Sequence, residues 1–412
     1  RSSAASDVYK RQGLERYGRM ARVFEDDKGV MIMKKDILIV GNAHDKHLER
    51  FIKGLKGKSF QYSVDIFDIS MRYADIPNAS LYDNTYTITR HFPKLLYKIC
   101  GIAKIIKYFD LLRSFKKIGN SYSIINIQVV TIQSYLLLKL YKQYSKYLIT
   151  TPWGSDVYRI GKSLKRKYQH VYDASNFVCV MPNTKFGDDI IEQFNVPKDK
   201  CLELCFGSDV LDKVMADDTS KDDSKQNLFG TKENYVITCG YNASPAQNHI
   251  PIIDALNKVK LQLPKNTLLV FPLTYARKAE YLSELKNQLQ STGLNYRLLS
   301  NYLSDQEMIW LRKGTDLFIH MQQTDAYSSS LHEYLYSKTK VINAAWLSYK
   351  ELETWGVPYK PSTFDTLPND IIEIINTKRD EVSDQLIKFL IVYSWSYQIN
   401  EWNKTFEKLI MQ

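Results

Sequence analysis

The 412-residue chain is 44% hydrophobic and 25% charged, with 17 Gly and 12 Pro, a make-up that excludes a disordered, collagen-like or mucin-like protein. Single hydrophobic cores stop growing at about 250–300 residues, so two domains are expected. No run of about 18 apolar residues occurs, which excludes a membrane-spanning helix, and no secretory pattern is visible, so a cytoplasmic protein is expected. Cys100, Cys179, Cys201, Cys205 and Cys239 are odd in number and form no CxxC pair. They read as reduced thiols rather than a metal or disulfide set.

In chain order, Asp7–Gln12 (DVYKRQ) reads as an in-frame translation of a transposon-end adaptor. Residues 1–32 are therefore taken as an adaptor-like artefact and unassigned leader, with Met20, Met31 or Met33 as the start. Ile37–Val40, closed by Gly41, predicts a first strand, and Leu48–Leu55 the helix after it. Strands are predicted at 63–69, 124–130, 147–151 and 177–181, with helices at 135–144 and 186–194. Such alternation predicts a doubly wound α/β domain over 33–215. The polar stretch 216–234 reads as a linker or surface loop. The pattern then restarts: strands at 235–239, 267–271, 296–299, 317–320 and 340–342, helices at 250–261, 277–289, 304–312 and 331–336. This predicts a second α/β domain over 235–390. Residues 384–409 are helical in pattern, and 391–412 are expected to return to the first domain, with plain core packing as the alternative.

The net charge of +11 is unevenly placed: residues 34–215 hold 28 Lys+Arg against 17 Asp+Glu, and residues 216–412 hold 21 against 23. Within the basic half, 94–117 interleaves Lys98, Lys104, Lys107 and Arg113 with Leu, Ile, Tyr and Phe and contains one acid, Asp110. That is the profile of a helix lying on an anionic membrane surface. Nucleic acid is a poorer partner, since base-reading side chains are scarce and no nucleic-acid motif is present. A surface helix with snorkelling lysines is the plain alternative.

The sharpest motif is DAYSSSLHE, Asp325–Glu333, between a predicted strand and helix. Its serines would occupy a helix N-terminus, where open N–H groups and the macrodipole attract a phosphate. Glu333, one turn inside, can accept hydrogen bonds from ribose hydroxyls. Ser-rich caps are also common as purely structural features.

An acid, seven residues and then Glu on a helix resembles the signature of family 4 glycosyltransferases, with Asp325 in place of the usual first Glu. The resemblance implies the GT-B fold: α/β, two Rossmann-like doubly wound domains facing a cleft, and a C-terminal helix crossing back. It implies that Asp325 faces the donor sugar, that Glu333 holds the ribose, and that the backbone of Ser329, Ser330 and Leu331 meets the diphosphate. Gly207-Ser208-Asp209 resembles the turn that ends the family's first domain, and TPWGSDVY, with Trp153 and Gly154, resembles its acceptor loop. Gly41, Asn42 and His44 match its first-strand loop. Gly240–His249 (GYNASPAQNH) stands where the family has a Gly followed by an Arg and a Lys for the diphosphate. Neither cation is there; Asn242, Asn248, Arg277 and Lys278 are the substitutes at hand. GYNASPAQNH and PLTYARKAEY also resemble transferases that add aminofucose to a lipid-linked acceptor.

The resemblance implies a hexosyltransferase that moves a sugar from a nucleotide-sugar donor to a lipid-linked or polysaccharide acceptor in surface-glycan synthesis. The expected enzyme is peripheral on the inner face of the cell membrane, retaining, and without need of metal or cofactor. Were it inverting, Asp156 and His44 would be the candidate bases. A nucleotide-sugar epimerase and a non-catalytic GT-B scaffold are the alternatives.

Overall fold

A computed structural model of the chain describes residues 23–25, 31–57, 60–325, 327–377 and 383–412. The adaptor-like segment and most of the leader lie outside these residues. The chain divides into two compact units. Of the described residues, the first contains those up to 179, 194–202 and 403–412; the second contains 180–193 and 203–402.

In the first unit, β1 (Val23–Glu25) pairs antiparallel with β2 (Met31–Gly41). The remaining strands are β3 (Val64–Asp68), β4 (Thr85–Thr87), β5 (Ser121–Gln128), β6 (Ser145–Thr151), β7 (Phe177–Val180) and β8 (Cys201–Glu203). They run in the order β4-β3-β2-β5-β6-β7-β8. The centre is parallel: Ile37–Val40 of β2 pair with Val64–Phe67 on one side and with Ile124–Ile127 of β5 on the other. All four β2 side chains are buried, as expected of a parallel sheet covered on both faces. β2 begins at Met31, earlier than its β-branched run announces.

The second unit is a six-stranded, all-parallel sheet of β9 (Tyr235–Cys239), β10 (Thr267–Pro272), β11 (Tyr296–Leu299), β12 (Leu317–His320), β13 (Lys340–Ala344) and β14 (Lys360–Ser362). Its order is β11-β10-β9-β12-β13-β14. Counted from β9, the second sheet follows the doubly wound order 3-2-1-4-5-6, and counted from β2, the first follows the same order with β8 added as a seventh strand; the reversal opens a crevice beyond the carboxyl ends of the two central strands. The crevice lies between β2 and β5 in one unit and between β9 and β12 in the other. Beneath the second, Ile237, Cys239, Phe271, Phe318, Ile319 and Tyr334 form a fully buried core.

Three expectations change. The stretch 216–234 is not a bare linker: Ser220 caps a helix, Lys221–Phe229, which Gly230 ends in the left-handed region. Its Ser224 and Lys225 are buried, and the backbone of Lys225 passes so close to Gly314 that a Cβ there would lie 3.3 Å from its nitrogen. The basic stretch 94–117 divides at Gly101 (φ +85°) into a 3-10 turn, Lys94–Lys98, and a helix, Ile102–Lys116. The terminal helix also breaks, into Asp384–Ile391 and Trp395–Met411. The last helix gives its opening turns to the second unit and residues 403–412 to the first.

Candidate functional site

The crevice of the second unit gathers most of the expected donor residues. β9 is followed by Gly240 (φ +65°), where a Cβ would lie 2.8 Å from Gln247 Oε1 and 2.9 Å from His249 Nε2, so only glycine fits. Asn242 Oδ1 accepts the Ser244 N–H (2.8 Å), and Asn242 Nδ2 donates to the Tyr275 hydroxyl (3.4 Å). Asn248, itself at φ +57°, is a tether: its Nδ2 donates to the Met321 carbonyl (2.7 Å). His249 is fully buried, faces the Tyr281 hydroxyl through Nδ1 (3.1 Å), and is pushed down to about 4 by that burial, which keeps it neutral. Arg277 and Lys278 are exposed and share a cavity with Ser244, Pro245, Ala246 and Gln323. Arg277 Nε also donates to the Leu273 carbonyl (2.8 Å).

Beyond β12 stands the acid-x7-Glu motif. Ser328 caps the helix Ser329–Tyr336, its Oγ accepting the Leu331 N–H (3.2 Å). The Leu331 N–H is thus taken, and the donors left at this turn reduce to Ser329 and Ser330, whose N–H groups have no intrahelical acceptor. Asp325 is held by the Tyr327 N–H on Oδ1 (3.2 Å) and the Tyr349 hydroxyl on Oδ2 (3.2 Å). His320 Nε2 stands 3.5 Å from Asp325 Oδ2. Its Nδ1 faces Asn343 Oδ1 (2.9 Å), and Asn343 Nδ2 is committed to the Ala344 and Leu347 carbonyls. Nδ1 therefore carries a proton, and Nε2 points at Asp325.

Glu333 sits differently from the ribose acceptor anticipated. Its Oε1 accepts the Ser208 hydroxyl (2.6 Å), and its Oε2 pairs with Arg312 Nε (2.7 Å); side-chain exposures are 4% for Glu333 and 6% for Arg312. Arg312 also donates through Nη1 to the Tyr334 hydroxyl (2.8 Å) and through Nη2 to Ser330 Oγ (3.3 Å). A buried guanidinium thus reaches the first turn of the helix Ser329–Tyr336. Sequence reasoning missed it because Arg312 ends an amphipathic helix, Asp305–Gly314, where a cation reads as a partner of the helix dipole.

In the first unit, the other expected residues lie on the segments after β2 and β6 and on the basic stretch 94–117. Gly41 ends β2 against Leu48 and Gln128, and Asn42 Oδ1 accepts the His44 N–H (3.1 Å). His44 Nε2 lies 3.8 Å from Asp68 Oδ2, at the end of β3; Asp68 was not foreseen. Trp153 Nε1 donates to Gln128 Oε1 (2.9 Å). Asp156 is a turn-holder: Oδ1 accepts the Trp153 (2.9 Å) and Gly154 (3.0 Å) N–H groups, and Oδ2 that of Val130 (2.8 Å). Burial pushes its carboxyl up against the pull of these donors. Lys98, Lys104, Lys107 and Arg113 are all exposed, beside exposed Leu95, Ile99, Ile102, Ile105 and Phe109. Asp110 turns inward, where Tyr73 OH (3.3 Å), His91 N (3.0 Å) and His91 Nδ1 (3.1 Å) contact it together with the Tyr97 hydroxyl.

No family model and no curated protein matches the chain. Solved structures do. A glycosyltransferase from Rickettsia africae is 16% identical, with a TM-score of 0.65 over 92% of this chain and 99% of its own. Sucrose-phosphate synthase from Thermosynechococcus elongatus is 11% identical, with a TM-score of 0.67 over the same shares, 92% and 99%. HepE from Anabaena, in complex with UDP and glucose, is 14% identical, with a TM-score of 0.62 over 92% and 99%. The two doubly wound units are those of the GT-B fold.

Proposed function

We propose that this chain is a glycosyltransferase of the hexosyl-transferring kind, one that passes a sugar from a nucleotide-diphosphate donor to a lipid-linked or polysaccharide acceptor during surface-glycan synthesis. The observation that carries this reading is the turn Ser328–Ser330 at the switch point of the second sheet. The Ser329 and Ser330 N–H groups open this helix, Arg312 reaches Ser330 Oγ, and Asp325 lies just before the turn, bonded to the Tyr327 N–H. Structures of the same fold hold UDP and UDP-glucose, which supports a nucleotide sugar as ligand.

In this reaction the bond between sugar C1 and the diphosphate oxygen breaks, its electron pair leaving with the phosphate, while the acceptor oxygen bonds to C1. The Ser329 and Ser330 N–H groups, with Arg277 and Lys278, stabilise the departing charge, and the Asp325 carboxylate stabilises the cationic sugar. In the retaining course the acceptor proton passes to the leaving phosphate, and no protein nucleophile or metal is used. His44 beside Asp68 favours a second, inverting course in which the imidazole takes that proton. Asp156 is unsuited to that task because both its oxygens hold backbone. The anomeric configuration of the product, read by proton NMR, distinguishes the two courses.

The first unit is the acceptor and membrane side of this reading, at the inner face of the cell membrane. Its support is that the 92–116 surface exposes lysines and large apolar side chains together. No helix among the described residues is long and apolar enough to cross a membrane.

A thermal-shift screen of nucleoside diphosphates and nucleotide sugars in EDTA tests the donor site. Ligand at about 100 times its Kd should stabilise by about 2.7 kcal/mol, and Arg277→Ala with Lys278→Ala should abolish the shift. No shift with any nucleotide would favour a non-catalytic scaffold.

A further inference from the structure

Behind the turn Ser328–Ser330 lies a polar pair that the reaction above does not use. His332 is on the helix Ser329–Tyr336, and Glu351 is on the short helix Lys350–Glu353. Their side chains are 1% and 2% exposed, and His332 Nε2 lies 3.7 Å from Glu351 Oε1. Neither atom has a hydrogen-bond partner among the described residues. The other imidazole nitrogen, Nδ1, contacts the Ser328 carbonyl (2.9 Å). A carbonyl only accepts, so Nδ1 bears the proton, and in the neutral ring Nε2 is a lone pair. A carboxylate opposite it would set lone pair against lone pair, whereas a carboxylic acid donates to it after a small rotation.

We propose that Glu351 is carried as a neutral acid whose proton latches His332, and through it the Ser328 cap, in the arrangement that accepts the donor diphosphate. This inference rests on the donor reading of the site. Loss of the proton places a negative charge behind a turn that must receive an anion, and removes the donor that Glu351 offers His332 Nε2.

The surroundings agree. Burial, with Glu353 and Asp325 nearby, pushes the Glu351 carboxyl up to about 7, and burial pushes His332 down to about 4. The groups facing the pair are Asp325 from the loop after β12, Tyr349 and Glu353 from the segment of Glu351 itself, Tyr327 stacked on His332 (4.5 Å between ring centres), Tyr359 before β14, and Tyr393 (5.0 Å from the His332 ring).

The test compares the full-length protein with Glu351→Gln, whose amide donates to Nε2 at every pH. Glutamates labelled at the side-chain carboxyl with carbon-13 are titrated by NMR. Binding of UDP, ADP and GDP is measured from pH 6 to 8.5. Because the terminal phosphate of each nucleotide ionises near pH 6, the wild type is read as a ratio to the variant. One carboxyl should titrate near neutrality and vanish in Glu351→Gln. The affinity ratio should fall by roughly five-fold or more as pH rises, the low end of ordinary coupling between linked sites. A Glu351 signal titrating in the usual carboxylate range, or a ratio constant with pH, overturns the latch while leaving the donor site standing. Binding of no nucleotide by either protein overturns the donor reading and the ligand half of the latch, and the carboxyl signal then decides the proton alone. His332→Gln, if folded, should return the Glu351 titration toward the range of other buried glutamates; an unmoved titration counts against the pairing.

Discussion

Glu333 lends one oxygen to Ser208 and the other to Arg312, and all three side chains are buried. Removing the carboxylate strands a guanidinium without its counter-charge, a loss of about 3–5 kcal/mol. Glu333→Ala is therefore expected to lose most of its stability in urea denaturation, whereas Glu333→Gln keeps an acceptor for Arg312 and loses less. Equal losses would mean that the charge accounts for the whole loss and the retained acceptor for none of it. Glu351 acts in the opposite sense. A carboxyl raised from 4.5 to about 7 in the folded state costs nothing below the unfolded value, costs more as pH rises, and reaches its full cost above about 7. His332, lowered from 6.5 to about 4, lets stability rise with pH across that interval, so the two oppose each other in mildly acid solution. The difference between Glu351→Gln and wild type isolates the acid: close to zero below pH 4.5 and up to about 3 kcal/mol above pH 7. Chemical denaturation at the two ends measures it, and a difference independent of pH would show Glu351 ionising as an ordinary glutamate.

The helix Ile102–Lys116 is apolar on two faces. Ile106, Leu111 and Phe115 enter the core, while Ile102, Ile105 and Phe109, at 44%, 59% and 53% exposure, stand outside among Lys104 and Lys107. Lysines snorkelling over a solvated face would leave no such outward apolar row. Replacing Lys104 and Lys107 with Glu is expected to release the protein from anionic vesicles, and Ile105→Ser with Phe109→Ser to weaken binding even at low salt. Undiminished co-sedimentation of both variants would remove the membrane from the reading. Asp110 explains why one acid is tolerated here: it faces Tyr73, Tyr97 and His91, and adds no outward negative charge. The helix Lys221–Phe229 shows the converse limit. It has no apolar stripe and is held by its caps and by packing on Gly314, so periodicity passed over it.

Across the molecule, the repeated doubly wound order was legible because its strands announce themselves. Tyr235–Cys239, Leu317–His320 and Ile37–Val40 are β-branched or aromatic runs closed by Gly or polar residues. The acid-x7-Glu motif was legible for the same reason, being local. Its partners were not: Ser208, Arg312 and Glu351 reach it from 125, 21 and 18 positions away from Glu333, and no local pattern reports which side chains a fold will bring together. The break at 392–394 belongs to this class. Ser208 N–H donates to the Tyr393 carbonyl (2.9 Å) and Trp395 N–H to the Ser208 carbonyl (3.1 Å), and Gly207 lies so close that a Cβ would come within 2.3 Å of Ser394 O. For a chain emerging from the ribosome, this joint sets a timetable. The sheet of the second unit can form once β14 is out, but the residue that holds Glu333 has no backbone seal until residues near 395 have been made. Until then Ser208, and through it Glu333 and Arg312, lacks the backbone bonds that Tyr393 and Trp395 supply.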